Sequence, residues 1–140
     1  MKIIIAADPF ALGLKQPIVA YLNEKGHEVI DLGATEDKSI PYYESCVTAC
    51  HALQAGKGER AILICGTGMG MAVIANRFQG ITASVVESVF AARMCRAINN
   101  ANVLCLGSMI WADWMAKEAV EAFLTTNLTD GLPQFADYLT

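Results

Sequence analysis

Cys65-Gly66-Thr67-Gly68-Met69-Gly70 is the segment of this chain with the clearest capacity for chemistry. Three glycines in five positions let the backbone turn tightly and aim several N–H groups at one point, and a helix start behind them adds further donors. Such a ring of amides can hold a phosphate or the oxyanion of an enediolate; the same spacing also serves a tight packing turn. A thiol immediately before the ring is suited to act as a base or nucleophile, because those donors favour its thiolate. The alternative for Cys65 is a small apolar side chain that ends a strand. His27 and His51 stand in other parts of the chain, which leaves no neighbour to complete a Cys–His nucleophilic pair. The loop also lacks the Gly-Lys-Ser/Thr ending of a P-loop and does not follow the first strand, as a dinucleotide fingerprint would.

Asp8 ends a wholly apolar run, and Pro9 stops that run from continuing. A carboxylate there either caps the helix that follows or binds substrate hydroxyls. Glu87 and Arg96 lie near and along a later helix. Glu87 offers a carboxylate able to handle protons on substrate oxygens, and Arg96 a guanidinium able to hold an anion; their plainer roles are a favourable charge beside a helix start and a solvated side chain. Cys46 and Cys50 are spaced by four with His51 beside them. Without a second pair of ligands they read as packing residues rather than a metal site.

Residues 2–7 and 60–65 are almost continuously apolar, as strands buried on both faces of a parallel sheet are. Residues 27–32, 81–86 and 102–106 read as three more strands. Helical periodicity covers 11–25, 41–55, 88–98 and 111–124, with a shorter helix running from the glycine loop through about residue 76. In the first of these, Leu14, Ile18 and Leu22 recur at intervals of four and Gly26 provides the stop. Strands alternating with helices supply the right-handed crossovers of a parallel sheet. The expected architecture is a three-layer α/β/α, Rossmann-like sandwich with a five-stranded parallel sheet, in one domain spanning 1–140. Ligands of such sheets bind beyond the carboxyl ends of the strands. Asp8, Cys65 to Gly70, Glu87 and Gly107-Ser108 arrive there.

The 140 residues are 54% hydrophobic and only 17% charged, with a net charge of -4. This composition excludes a disordered chain and argues against a nucleic-acid surface, which would carry a basic stripe. It also implies more apolar surface than a small monomer hides, so an oligomer is expected. No apolar stretch approaches the ~18 residues of a membrane span, and the first apolar run ends in a carboxylate with no cleavage site behind it. The five cysteines, an odd number, fit reduced thiols. A cytoplasmic protein without an export signal or membrane contact is expected.

Four blocks in this order resemble the ribose-5-phosphate isomerase B and galactose-6-phosphate isomerase family over essentially the whole chain. They are Met1-Lys2-Ile3-Ile4-Ile5-Ala6-Ala7-Asp8 with Leu14-Lys15 behind it, Gly26-His27-Glu28-Val29-Ile30-Asp31-Leu32-Gly33, Ile62-Leu63-Ile64-Cys65-Gly66-Thr67-Gly68-Met69-Gly70-Met71, and Asn99-Asn100-Ala101-Asn102-Val103-Leu104-Cys105-Leu106-Gly107. The third block is the most specific. The resemblance implies that Cys65 is the base that moves a proton between C1 and C2 of a small sugar or sugar phosphate through a cis-enediolate. It further implies that the amides of Gly66, Gly68, Met69 and Gly70 stabilise the intermediate and that Thr67 handles hydroxyl protons. Asp8 would contact substrate oxygens, Tyr43 would stand near the site and Arg96 would hold phosphate. It implies no metal or organic cofactor, and a homodimer or dimer of dimers with shared active sites.

The chain departs from the family at several of these positions. Pro9 stands where a histidine follows the first-strand aspartate, Glu87 at the position assigned to a ring-opening histidine and Ser88 at its polar neighbour. The segment Gly131-Leu132-Pro133-Gln134-Phe135-Ala136-Asp137 lacks the arginines that grip phosphate. The expectation is therefore an aldose–ketose isomerase of a sugar phosphate, the departures pointing to a divergent four-carbon or unphosphorylated substrate, with Glu87 taking a catalytic place; the alternative is a non-catalytic partner subunit of a related isomerase.

Overall fold

The computed structural model describes residues 1–129; the segment 131–137 discussed above lies outside them. Strands β1 (Lys2–Ala7), β2 (Glu28–Asp31), β3 (Arg60–Cys65), β4 (Ala83–Val85) and β5 (Val103–Gly107) alternate with helices α1 (Leu12–Glu24), α2 (Tyr42–Gln54), α3 (Met69–Ala75), α4 (Val89–Ala97) and α5 (Asp113–Thr125). A 3-10 turn at Pro9–Ala11 leads into α1. The strands form one parallel sheet in the order β2-β1-β3-β5-β4. The expected strands and helices are all present, the largest trimming being of β4, expected over 81–86.

Period-two alternation divides the apolar runs between two cores. Ile3, Ile5, Ile62, Ile64, Leu104 and Leu106 face α1, α4 and α5. Ile4, Ala6, Leu63, Cys65, Val103 and Cys105 face α2 and α3. The isoleucines of β1 and β3 are fully buried, each contributing about 1.5–3 kcal/mol through removal from water. Three layers result, as expected. Cys46 and Cys50 sit in the second core, where their hydrogen bond and burial push the Cys46 thiol up. His51 is exposed on the same helix and meets Phe78 edge to face at 5.2 Å. No helix among the described residues is long and apolar enough to cross a membrane.

Two arginines lock the amino end of the sheet. Arg96, on the last turn of α4, is only 7% exposed. Its Nη1 donates to the Ala101 carbonyl at 2.7 Å and to Asn100 Oδ1 at 3.0 Å, and its Nε donates to the Thr126 carbonyl at 3.2 Å. Arg60 donates to the carbonyls of Phe123 and Leu124. Both cations thus meet carbonyls at the carboxyl end of α5, where positive charge is favourable. Ala101 leads into the amino end of β5, whereas Cys65 is paired with Gly107 at its carboxyl end. The sequence expects Arg96 to hold a substrate anion; within the chain its donors are engaged at the opposite end of the sheet from Cys65.

Arg96→Ala should lower the unfolding free energy by about 2–4 kcal/mol, because it strands buried acceptors and removes charge-assisted hydrogen bonds. Urea denaturation reads that loss, and Michaelis kinetics on the folded fraction should show an unchanged KM. Native stability with a raised KM would return Arg96 to the binding site.

Candidate active site

The chain changes direction at the centre of the sheet: from β1 the order runs outward to β2 on one side and through β3 to β5 on the other. Such a switch point opens a crevice beyond the carboxyl ends of the strands. Asp8 follows β1 at this crevice, and Cys65-Gly66 leaves β3 beside it; the Asp8 amide donates to the Ile64 carbonyl at 3.1 Å.

The glycine loop is held by unusually close packing against β5. Gly68 adopts φ +78°, which favours glycine, and it caps α3. A Cβ on Gly107 would lie 2.7 Å from the Thr67 carbonyl carbon, so only glycine lets the loop backbone rest there. The Ser108 amide donates to the Cys65 carbonyl at 2.8 Å and the Met109 amide to the Gly66 carbonyl at 2.9 Å. In this frame the Gly68 amide donates to Cys65 Sγ at 3.1 Å. The donor ring read from the sequence therefore includes one amide aimed at the thiol. Cys65 is 5% exposed, while Thr67 and Met69 are exposed on the loop and the Met69 amide donates to Thr67 Oγ1 at 3.3 Å.

A cleft of about 570 Å³ opens beside this loop, with Asp8, Phe10, Gly66, Ser108, Met109 and Asp113 among its wall residues. Asp8 is 8% exposed. Its Oδ1 accepts from the Ala11 amide at 3.1 Å and so caps the 3-10 turn, with Pro9 at the turn's first position. The sequence left cap and ligand as alternatives for Asp8; the cap is present, and the same carboxylate borders the cleft. Trp111 closes one side, its Nε1 donating to the Val86 carbonyl at 3.0 Å. That bond ties the exit of β4 to the start of α5.

Asp8 and Gly66 are thus brought to one wall, with Cys65 immediately behind Gly66 and Thr67, Gly68, Met69 and Gly70 continuing the loop. Glu87 is exposed and is not part of the cleft wall. Tyr43 is 52% exposed; the ring packed against Gly70 is that of Tyr42, and the two rings meet edge to face at 5.4 Å. Within one chain, then, Glu87, Tyr43 and Arg96 stand apart from the cleft. Phe10, Met109, Trp111 and Asp113 were not singled out from the sequence. The rule of carboxyl ends reached Gly107-Ser108, and continuing along the chain to the start of α5 would have found the other three residues after β5. Among the described residues no three His, Cys, Asp or Glu side chains converge to hold a metal ion.

Burial raises the Asp8 pKa from its ordinary value of 3.8, with the backbone donors of Ala11 and Phe10 opposing the shift. The folded chain therefore binds this proton more tightly than the unfolded chain, and the Asp8 contribution to stability falls as pH rises from below 3.8 through the raised folded value. Asp8→Asn keeps the capping oxygen without the charge. Calorimetry should find it more thermostable than the native chain at pH 7, with the gain vanishing below pH 3.8 and turnover reduced. No gain at pH 7 would contradict the burial cost assigned to Asp8.

The comparisons with known proteins agree with this geometry. The family model described as Ribose/Galactose Isomerase matches residues 3–134. A 4-deoxy-4-sulfo-D-erythrose isomerase of Clostridium sp. strain MSTE9 is 46% identical over 136 residues, covering 96% of this chain and 86% of the relative. A D-erythrulose-4-phosphate isomerase of Pectobacterium atrosepticum is 37% identical over 132 residues, covering 94% and 87%. Among solved structures, ribose-5-phosphate isomerase B of Clostridium thermocellum superposes with a TM-score of 0.92 at 34% identity, covering 99% of this chain and 93% of that one. With its parallel sheet, its glycine loop after β3 and a model match over nearly its whole length, this chain belongs to the ribose/galactose isomerase family.

Proposed function

We propose that this chain is an aldose–ketose isomerase, an intramolecular oxidoreductase acting on a four-carbon sugar with an anionic group at C4. The observation that carries the reading is Cys65 Sγ at the end of β3, 3.1 Å from the Gly68 amide and next to a cleft bordered by Asp8. In the proposed reaction the Cys65 thiolate removes the proton on C2 of the aldose. The electrons of that C–H bond form the C1–C2 double bond of a cis-enediolate, and the carbonyl oxygen takes up negative charge. Loop amides oriented before the reaction stabilise that oxyanion without reorganising. Proton return to C1, with transfer of the O2 proton to O1, completes the ketose. Thr67 handles the hydroxyl protons and Asp8 orients the substrate oxygens.

The four-carbon assignment has two supports. The 46% and 37% identical relatives carry names for isomerases of four-carbon substrates. Independently, a tetrose substituted at C4 has no free C4 hydroxyl with which to close a furanose ring. It needs no ring-opening acid, in keeping with Pro9 and Glu87 at positions where the resemblance assigns histidines.

In this reading residues 1–140 act as one isomerase domain in a homodimer with shared sites. Support comes from the exposed apolar side chains around the cleft mouth, Phe10 at 89% and Met109 at 80% exposure, with Trp114 at 62% on α5. Burying such side chains between two copies removes apolar area from water. A cytoplasmic setting is supported by five free cysteines. Pairing of dimers would follow from the same family.

The purified chain, without a partner protein, should interconvert C4-anionic tetroses and tetruloses with kcat/KM at least tenfold above that for ribose 5-phosphate. It should sediment at twice its 15.0 kDa mass or a multiple of that. Inactivity on the whole panel, restored by a second related chain, would instead establish the non-catalytic subunit.

A further inference from the structure

The charges around the cleft are one-sided. Asp8 and Asp113 border it, and no lysine or arginine belongs to its wall among the described residues. The chain has ten basic residues in all, and the topology accounts for their absence. Lys2, Lys25, Lys57, Arg60 and Arg77 begin strands or follow helices, and Arg96 ends α4, at the amino end of the sheet, away from Cys65. Lys15 is 3% exposed and engaged with Asp31 at 2.6 Å and with the Ala34 carbonyl. Lys38, Arg93 and Lys117 stand off the cleft wall. Residues 130–140 contain no lysine or arginine.

The start of α5 would ordinarily be the element that offsets this, since exposed amides at a helix start favour an anion. Here Asp113 occupies the first turn, and its Oδ1 accepts from the Trp114 amide at 2.8 Å. The chain's own carboxylate therefore occupies the positive end of the helix that reaches the cleft. What remains for a substrate among the described residues is neutral: the loop amides and the hydroxyl of Ser108.

We infer that Asp113, acting with Asp8 and with no facing cation from its own chain, makes the cleft selective for a C4 substituent bearing one negative charge, a sulfonate, over the dianionic phosphate of the same four-carbon skeleton. This inference rests on the isomerase reading above. A phosphate monoester carries close to two charges at pH 7 and takes up a proton near pH ~6, whereas a sulfonate remains a monoanion over the working range of a protein. Neutral donors satisfy either group, but the second charge of phosphate needs a cation, which bidentate guanidinium contacts usually supply. Facing two carboxylates, that second charge is repelled. Asp113 is a specificity-determining residue in this account: it takes no part in proton transfer.

The test compares kcat/KM for 4-deoxy-4-sulfo-D-erythrose and D-erythrose 4-phosphate from pH 5.5 to 8, in native protein and in Asp113→Asn. Taking the ratio of the two substrates at each pH cancels the pH dependence of the protein's own groups, which both substrates share. The native protein should favour the sulfonate at least tenfold at pH 8, and the preference should narrow as the phosphate dianion takes up one proton near pH ~6 and becomes a monoanion. Asp113→Asn should narrow the ratio at pH 8 at least threefold, because losing one negative charge relieves the dianionic phosphate about twice as much as the sulfonate; kcat/KM should rise for both substrates, and more for the phosphate, through a lower KM. If the variant fails to fold, the pH dependence of the native ratio decides. Turnover of both compounds with phosphate preferred, or with a ratio that does not change with pH, overturns the charge selectivity and leaves the isomerase reading standing; it would mean that a second copy brings a cation to the cleft. Turnover of neither compound overturns the isomerase reading and this inference with it.

Discussion

The contact between the Thr67 backbone and Gly107 sets the geometry on which the rest of this structure's chemistry depends. A single added methyl at Gly107 would collide with the Thr67 carbonyl carbon at 2.7 Å. With that contact made, β3 and β5 stay paired up to Cys65 and Gly107, and the ladder continues through the Ser108 and Met109 amides. Gly68 can then turn at φ +78° and present its amide to the Cys65 sulfur. The strand order is part of the same constraint. Placing β5 beside β3, with β4 outermost, brings the exit of β5 and the start of α5 to the edge of the glycine loop. In the sequence-neighbour order β3-β4-β5 the wall opposite Asp8 would consist of other residues.

The two ends of the sheet are electrostatically different, and each serves its end of the molecule. At the amino end, Arg60 and Arg96 meet the last carbonyls of α5 and join three elements. At the carboxyl end, Asp8 and Asp113 stand among backbone amides and apolar walls. Burial of Asp8 costs stability near neutrality, as its raised pKa records; active sites commonly carry such local costs, offset elsewhere by packing. Here the offset lies in a sheet whose central strands are almost wholly buried and in the guanidinium contacts beneath it.

Much of this was legible in the sequence because it is local or periodic. The apolar runs of β1 and β3 identify buried parallel strands, the interval of four in α1 identifies its inner face, and the cluster of glycines behind Cys65 identifies the loop. What was not legible depends on long-range placement. The position of β5 inside β4 is set by packing between distant segments, so it leaves no period in the chain. Arg96 reads as an anion ligand by resemblance, yet the length of α4 carries it to the far end of the sheet. Tyr42 and Tyr43 are adjacent in sequence, and only the roll of α2 decides that Tyr42 meets Gly70. Glu87 arrives at the correct end of the sheet but outside the cleft wall, where Trp111, between β5 and α5, closes that side through its bond to the Val86 carbonyl.

In the proposed reaction the sulfur of Cys65, which accepts from the Gly68 amide, carries the proton between adjacent carbons of the substrate. The most direct measurement of that transfer is solvent-deuterium incorporation at the carbon next to the carbonyl, followed by NMR on a C4-anionic tetrose with native protein and with Cys65→Ser. The serine variant keeps the size of the side chain, but its alkoxide is far less accessible than a thiolate. The native chain should incorporate deuterium, and exchange and turnover should be at least ~10²-fold slower in the serine variant while circular dichroism shows it still folded. Exchange at the native rate in Cys65→Ser would contradict this role of Cys65.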